Sequence, residues 1–160
     1  MRLFIAEKPS QAEGLAKVLG GARKTGSHWD TDGGVVAWCY GHMLELAEPD
    51  DYDPALKSWD FALLPILPNP PRLLPPDPEK GRDGEARKWN KRKRDQLEAI
   101  GGLLRRASEV VVACDPDRQG DAIARNVIQH FRYSGKVSRL WLASTDEGSV
   151  RKALAKLKPG

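Results

Sequence analysis

"EVVVACDPDRQGDAIARNVIQHF", Glu109 to Phe131, is the stretch whose reading decides the fold. Its first part, Val110 to Cys114, is an apolar, β-branched run of the kind that forms a strand buried on both faces. The run stops abruptly at Asp115. After a proline-containing turn, Ile123, Ala124, Val127, Ile128 and Phe131 fall on one face of a helix. The stretch is therefore a strand, a tight turn and a helix. The turn carries two carboxylates one residue apart, Asp115 and Asp117, and Gln119 stands where a third would continue the spacing.

The same pattern opens the chain. "RLFIA" is a short apolar strand ending at Glu7-Lys8. In "PSQAEGLAKVLGG", Pro9 suits a helix start, Ser10 and Glu13 have capping-box spacing, and Gly20-Gly21 suit a stop. Ala12, Leu15, Ala16 and Leu19 make its apolar face. "SHWDTDGGVVAWCY" reads as a hairpin turning at Asp32-Gly33-Gly34. Seven prolines between Pro65 and Pro78 exclude regular helix or central strand and predict an extended surface connection. A long helix is expected from about Glu85 to Arg106, through Ala86, Trp89, Leu97, Ile100 and Leu104. "KVSRLWLAS" is a further strand. The end of the chain has Ser144 and Glu147 at capping-box spacing, then Val150, Ala153, Leu154 and Leu157 as a buried face. Alternating strands and helices predict an α/β, Rossmann-like domain spanning residues 1–160, with a central, mostly parallel sheet flanked by helices.

The composition fits that size. The chain has 160 residues, 40% hydrophobic and 30% charged, enough for one sizeable core. No apolar run approaches the roughly 20 residues that span a bilayer, and "MRLFIAEKPS" is charged too early for a signal peptide. A cytoplasmic protein with no membrane partner is expected. Cys39 and Cys114 lie in apolar runs without CxxC spacing, which suits reduced core residues. Zinc is disfavoured, because His28, His42 and His130 are scattered. Net charge is +4, and the excess is local: "RKWNKRKR", Arg87 to Arg94, has six basic residues in eight. The run is either a solvated helix face or a phosphate-contacting surface. Trp89 inside it could stack on a base or anchor the helix to the core.

Ligand sites in open parallel sheets gather at the carboxyl ends of strands. Two strands here end in acid, at Glu7 and at Asp115. If they are neighbours, Glu7, Asp115 and Asp117 converge, and three close carboxylates require a shared proton or a cation. Hard oxygen donors suit Mg²⁺. Lys8, Arg118 and the amides of the following helix would favour a phosphate beside it. The plainer alternative is a helix N-cap, with Asp117 capping and Asp115 starting the turn.

"MRLFIAEKPSQAEGLAKVLGG" with "VVACDPDRQGD" resembles the Toprim domain of type IA DNA topoisomerases, closest to the bacterial topoisomerase III branch. "VVAWCYGHMLELAEPDDY" and "SWDFALLPILP" follow that branch in order, so the resemblance covers nearly the whole chain. It implies a Toprim fold and a set of roles. Glu7 would be the general acid/base beside the metal, Lys8 would steady the scissile phosphate, and Asp115 and Asp117 would be Mg²⁺ ligands. Arg118 fits the family's arginine. Trp59 matches a position that contacts single-stranded DNA, and a core tryptophan is the equal alternative. His42 matches a Gly-His pair.

Two departures accompany the resemblance. Gln119 replaces the third acid of DxDxE, which would weaken Mg²⁺ binding. Tyr40, Tyr52 and Tyr133 match no catalytic position, and the gate domains that carry the nucleophilic tyrosine are not among these 160 residues. The expected function is therefore the Mg²⁺-binding, DNA-phosphate-positioning domain of a type IA topoisomerase, a monomer, nucleoid-associated and inactive alone. Its partners would be single-stranded DNA and the remaining topoisomerase domains, with Lys91, Lys93 and Arg94 contacting nucleic acid. The alternatives are a non-catalytic nucleic-acid-binding module and a small nuclease or primase-like protein.

Overall fold

β-Branched runs too short for stable helices pair through their backbones, and in the computed structural model they form one seven-stranded sheet. The structure describes residues 1–58, 60–69, 71–77, 79, 83–142, 144 and 146–160. Its strands are β1 (Arg2–Ala6), β2 (Arg23–Lys24), β3 (His28–Thr31), β4 (Gly34–Trp38), β5 (Glu45–Leu46), β6 (Leu73–Leu74), β7 (Glu109–Val112), β8 (Lys136–Arg139) and β9 (Lys158–Pro159). The main sheet has the order β2-β3-β4-β1-β7-β8-β9. Its central strands β4, β1, β7 and β8 are parallel. The antiparallel strands β2, β3 and β9 lie at its margins. This is the mostly parallel α/β arrangement expected from the alternating pattern.

Two-residue periodicity divides the core. Leu3, Ile5, Val110 and Val112 face one way, with Leu97 and Ile100 of α3 (Gly84–Leu104), which follows the short α2 (Pro49–Tyr52), and Ile123 and Val127 of α4 (Arg118–His130). Phe4, Ala6, Val36 and Val111 face the other, with Ala12 and Leu15 of α1 (Pro9–Leu19) and Val150 of a C-terminal helix, Glu147–Leu154. Phe4, Leu3 and Ile5 are fully buried. Burying each such side chain contributes about 1.5–3 kcal/mol. β1 therefore needs apolar residues on both faces, which is why its sequence shows no alternation.

Helix starts differ from the expected capping boxes. α1 begins at Pro9 with Lys8 at its N-cap and no side-chain cap, so Ser10 and Glu13 lie inside the helix and form no box. At the C-terminal helix, Asp146 takes the Ser149 amide in place of the expected Ser144–Glu147 pair. At the C-terminal helix the acceptor nearer the first free amides wins, and at α1 Pro9 fixes the start without one. The hairpin turns as expected, with Thr31 opposite Gly34. Among its described residues the proline-rich run contains no helix, and its Leu73–Leu74 pairs with Glu45–Leu46 in a separate two-stranded sheet. Of its prolines, Pro70 and Pro78 lie outside the described residues.

At the amino edge of the sheet, Glu109 ties three central strands together. Its carboxylate accepts from Arg2 at 2.8 Å and Ser138 at 2.8 Å, and pairs with Lys136 at 2.9 Å. The Lys136 and Ser138 hydrogen bonds, then Arg2, hold its pKa down to about 2, against the opposing effect of burial. A depressed carboxylate pKa stabilises the fold above the unfolded value of about 4.3 and loses that contribution as pH falls toward 2. Glu109→Gln should therefore be less stable than the parent at pH 7, with the gap closing between about pH 4.3 and pH 2. Denaturant melts across that range measure it, and a gap independent of pH would refute the assignment.

Candidate active site at the carboxyl edge of the sheet

β1 and β7 are direct parallel neighbours, with Ile5 opposite Val112, so both acidic strand ends open on the same edge. One side chain joins them. Gln11, buried in the first turns of α1, accepts from the Glu7 amide at 2.9 Å and donates to Asp115 Oδ1 at 2.9 Å. A third strand end joins through the loop after β4, where the Gly41 amide donates to the Glu7 carbonyl at 3.2 Å. Gly41 has φ 68°, a left-handed conformation that glycine tolerates without strain.

The Glu7 carboxylate lies near the two cysteines. Its Oε2 is buried and has no hydrogen-bond partner among the described residues. Burial, and then the Glu7 carboxylate, push the Cys39 thiol up to about 12. Burial, Cys39 and Glu7 also drive Cys114 upward. Both thiols stay protonated, so neither serves as a nucleophile near neutral pH.

Asp117 is the N-cap of α4, its Oδ1 taking the Gly120 amide at 2.7 Å. The capping reading of the turn is thus realised, and it leaves Asp117 Oδ2 without a partner among the described residues. Asp115 Oδ2 is likewise without a partner among the described residues, as are the exposed side chains of Lys8 and Arg118. Gln119 is engaged: its carboxamide meets His42 Nε2 at 2.7 Å. Among the described residues, no three of His, Cys, Asp and Glu form a ready-made metal cage. The donors still suit Mg²⁺, which uses one or two carboxylates and fills its remaining positions with water and substrate phosphate. An orphaned buried oxygen on Glu7 and two open oxygens on Asp115 and Asp117 are the donor chemistry such an ion takes.

Arg139 braces the turn from the other side. With only 9% of its side chain exposed, it donates to the Asp115 carbonyl at 2.9 Å and to Asp121 Oδ1 at 3.3 Å. Arg125 completes the set on Asp121 at 2.6 Å. Neither Gln11 nor Arg139 was singled out from the sequence. The available signal was a polar residue on an apolar face: Gln11 beside Ala12, and Arg139 within "KVSRLWL".

A family model described as the Toprim domain matches residues 2–145. The chain belongs to the Toprim family. It is 38% identical to the DNA topoisomerase 3 of Haemophilus influenzae over 99% of this chain and 23% of that protein. The corresponding protein of Vibrio cholerae is 35% identical over 98% of this chain and 23% of its own length. The chain thus spans less than a quarter of these curated relatives. The fold of full-length topoisomerase I from Thermotoga maritima is similar, with a TM-score of 0.56 and 15% identity over 98% of this chain and 21% of that one. The resemblance read from "AEK" and "DPDRQGD" is borne out at the level of the Toprim fold and of its topoisomerase relatives.

The remaining expected site residues lie on α3 or beyond description. Lys91 pairs with Asp95 at 2.7 Å and Arg94 with Glu98 at 3.7 Å, while Lys93 has no ionic partner among the described residues. Trp59 lies outside the described residues.

The Toprim turn is tight enough to demand glycine at position 120. A Cβ there would overlap the Asp115 carbonyl and crowd its amide, both of them backbone. Gly120→Ala should cost about 1–3 kcal/mol of stability, the range for overpacking a closed site. It should also disturb the Asp115 amide resonance more than that of Glu109, read by NMR. An unperturbed turn would mean that α4 approaches less closely than described.

Proposed function

We propose that this Toprim domain positions a single-strand DNA phosphate at its carboxyl edge, as one part of a strand-cleaving and rejoining topoisomerase. The observation that carries this reading is the Gln11 carboxamide joining Glu7 to Asp115, in a chain whose relatives are named DNA topoisomerase 3. Asp115 and Asp117, with Glu7 beside them, would hold Mg²⁺. When bound, it would neutralise charge developing on a phosphoryl oxygen.

The chain's own residues do the rest. Lys8, exposed and without a carboxylate partner among the described residues, supplies a fixed positive charge to a non-bridging oxygen. Arg118 and the first amides of α4 face the same anion. Glu7 would pass a proton to the departing 3′-oxygen and take it back on rejoining. Arg139 keeps the Asp115 turn from shifting as charge changes nearby. The attacking tyrosine would come from elsewhere in a longer protein, because the three present here are occupied. Tyr40 is held by Arg92, Tyr52 accepts from the Arg72 amide, and Tyr133 reaches the Ala107 and Lys136 carbonyls.

One observation favours a second reading, a binding module without chemistry: neutral Gln119 spends its carboxamide on His42. The two readings separate on metal. A topoisomerase part should bind a fluorescent single-stranded oligonucleotide more tightly with Mg²⁺ than without it, at constant ionic strength. A plain binding module should be indifferent.

Both readings use the basic half of α3. Its ion pairs are exposed, and such pairs contribute at most about 1 kcal/mol, so phosphate readily displaces the carboxylates. Reversing Lys91, Lys93 and Arg94 to glutamate should weaken binding evenly across sequences and lower the salt slope by about 2. Unchanged affinity and slope would reduce the run to a solvated helix face. The 160-residue chain alone should leave supercoiled plasmid unrelaxed and form no covalent adduct.

A further inference from the structure

We infer that Trp89 and Tyr40 form a base-stacking platform that takes an unpaired base of the strand whose phosphate lies at the carboxyl edge. The inference rests on the proposed DNA-binding role and adds to it a position and a chemistry.

The argument begins with helix length. α3 has 21 residues, about 30 Å at 1.5 Å per residue. β7, the strand that follows, has four residues, about 13 Å long. The helix runs back along the strand, so its N-terminal half overhangs the carboxyl edge. Burial agrees: the fully buried side chains of α3 begin only at Gln96. All the basic residues from Arg87 to Arg94 lie on the overhang.

One contact fastens the overhang to the site. Trp89 packs on Tyr40 with ring centroids 5.3 Å apart and planes at 52°. Arg92 donates to the Tyr40 hydroxyl at 3.0 Å and lies 4.6 Å over the Tyr40 ring. Tyr40 is the residue before Gly41, whose amide holds the Glu7 carbonyl, and two before His42, which holds Gln119. The platform is thus built from the same loop that closes the site.

Trp89 is not consumed by these contacts. It stays 44% exposed, a large amount for a tryptophan already packed on one side. Its open surface lies beside Lys93, one helical turn on, and Arg92 lies 5.8 Å over its ring; neither cation has an ion-pair partner among the described residues. An aromatic face beside unpaired cations is what single-stranded nucleic acid uses, bases on the ring and phosphates on the charges. A duplex keeps its bases stacked inside and offers the ring nothing. The occupant is therefore a single strand, and stacking makes its recognition tolerant of base identity.

The test compares affinities of the full chain and of Trp89→Ala and Trp89→Phe for a single-stranded oligonucleotide, for the same oligonucleotide with one abasic site walked along it, and for a duplex. Stacking is worth about 1–3 kcal/mol per base, or about 5- to 150-fold in affinity. Trp89→Ala should lose binding within that range for the single strand, keep its duplex affinity, and become insensitive to the abasic walk. Trp89→Phe should recover most of the loss, and melting curves of all three proteins exclude unfolding. Equal single-strand affinity of parent and Trp89→Ala, with binding otherwise intact and salt-sensitive, would overturn the platform alone. No binding of any DNA by the parent would overturn the proposed function itself.

Discussion

A single buried carboxamide holds the functional edge of this protein together. Gln11 uses its oxygen on the Glu7 amide and its nitrogen on the Asp115 carboxylate. A strand end lacks further ladder partners, so its polar groups must be satisfied by something else. Here one side chain satisfies two strand ends at once and thereby sets their relative position. Glu7, Lys8 and the Asp115 turn cannot drift apart without leaving a buried polar group unpaired, at a cost of about 1–3 kcal/mol. The preference for glutamine is chemical: glutamate would place a second carboxylate against Asp115, and leucine would satisfy neither partner.

The two edges of the sheet are built for different ends. At the amino edge Glu109 is surrounded by three donors from adjacent strands and by opposite charge, an arrangement that stabilises the parallel pairing. At the carboxyl edge the carboxylates are left under-satisfied among the described residues: an orphaned oxygen on Glu7, open oxygens on Asp115 and Asp117, and unpaired cations on Lys8 and Arg118. Such a site is costly in the isolated protein, and the proposed cation and phosphate would lower that cost. Stability concentrated at one edge permits electrostatic frustration at the other.

Much of this was legible in the residues. The strand at Val110, the helix after Asp117 and the opening β–α unit follow from periodicity, because burial on a helix face or both sides of a strand leaves a repeat in the sequence. The meeting of the acids on one edge was legible because Glu7 and Asp115 each follow an apolar run. Caps were read less well: Ser10 and Ser144 have the right spacing, yet Pro9 starts α1 with no side-chain cap and Asp146 caps the last helix, since spacing alone fixes neither the first helical residue nor the winning acceptor. Gln11 and Arg139 were not found, because their roles depend on residues 104 and 24 positions away. The engagement of Gln119 by His42, 77 residues distant, was equally hidden. A local pattern records which side chains are buried and is silent on which distant partner satisfies them.

The central claim is that the Asp115–Asp117 turn, joined to Glu7, accepts a hard cation although position 119 carries no charge. The most direct measurement is calorimetric titration of Mg²⁺ into the full chain and into the Asp115→Asn/Asp117→Asn double variant. The substitutions keep shape and remove two charges, and a melting curve confirms that the variant is folded. The account predicts a weak, saturable heat in the parent that disappears in the variant. Identical isotherms for the two proteins, whether both bind or neither does, would contradict it.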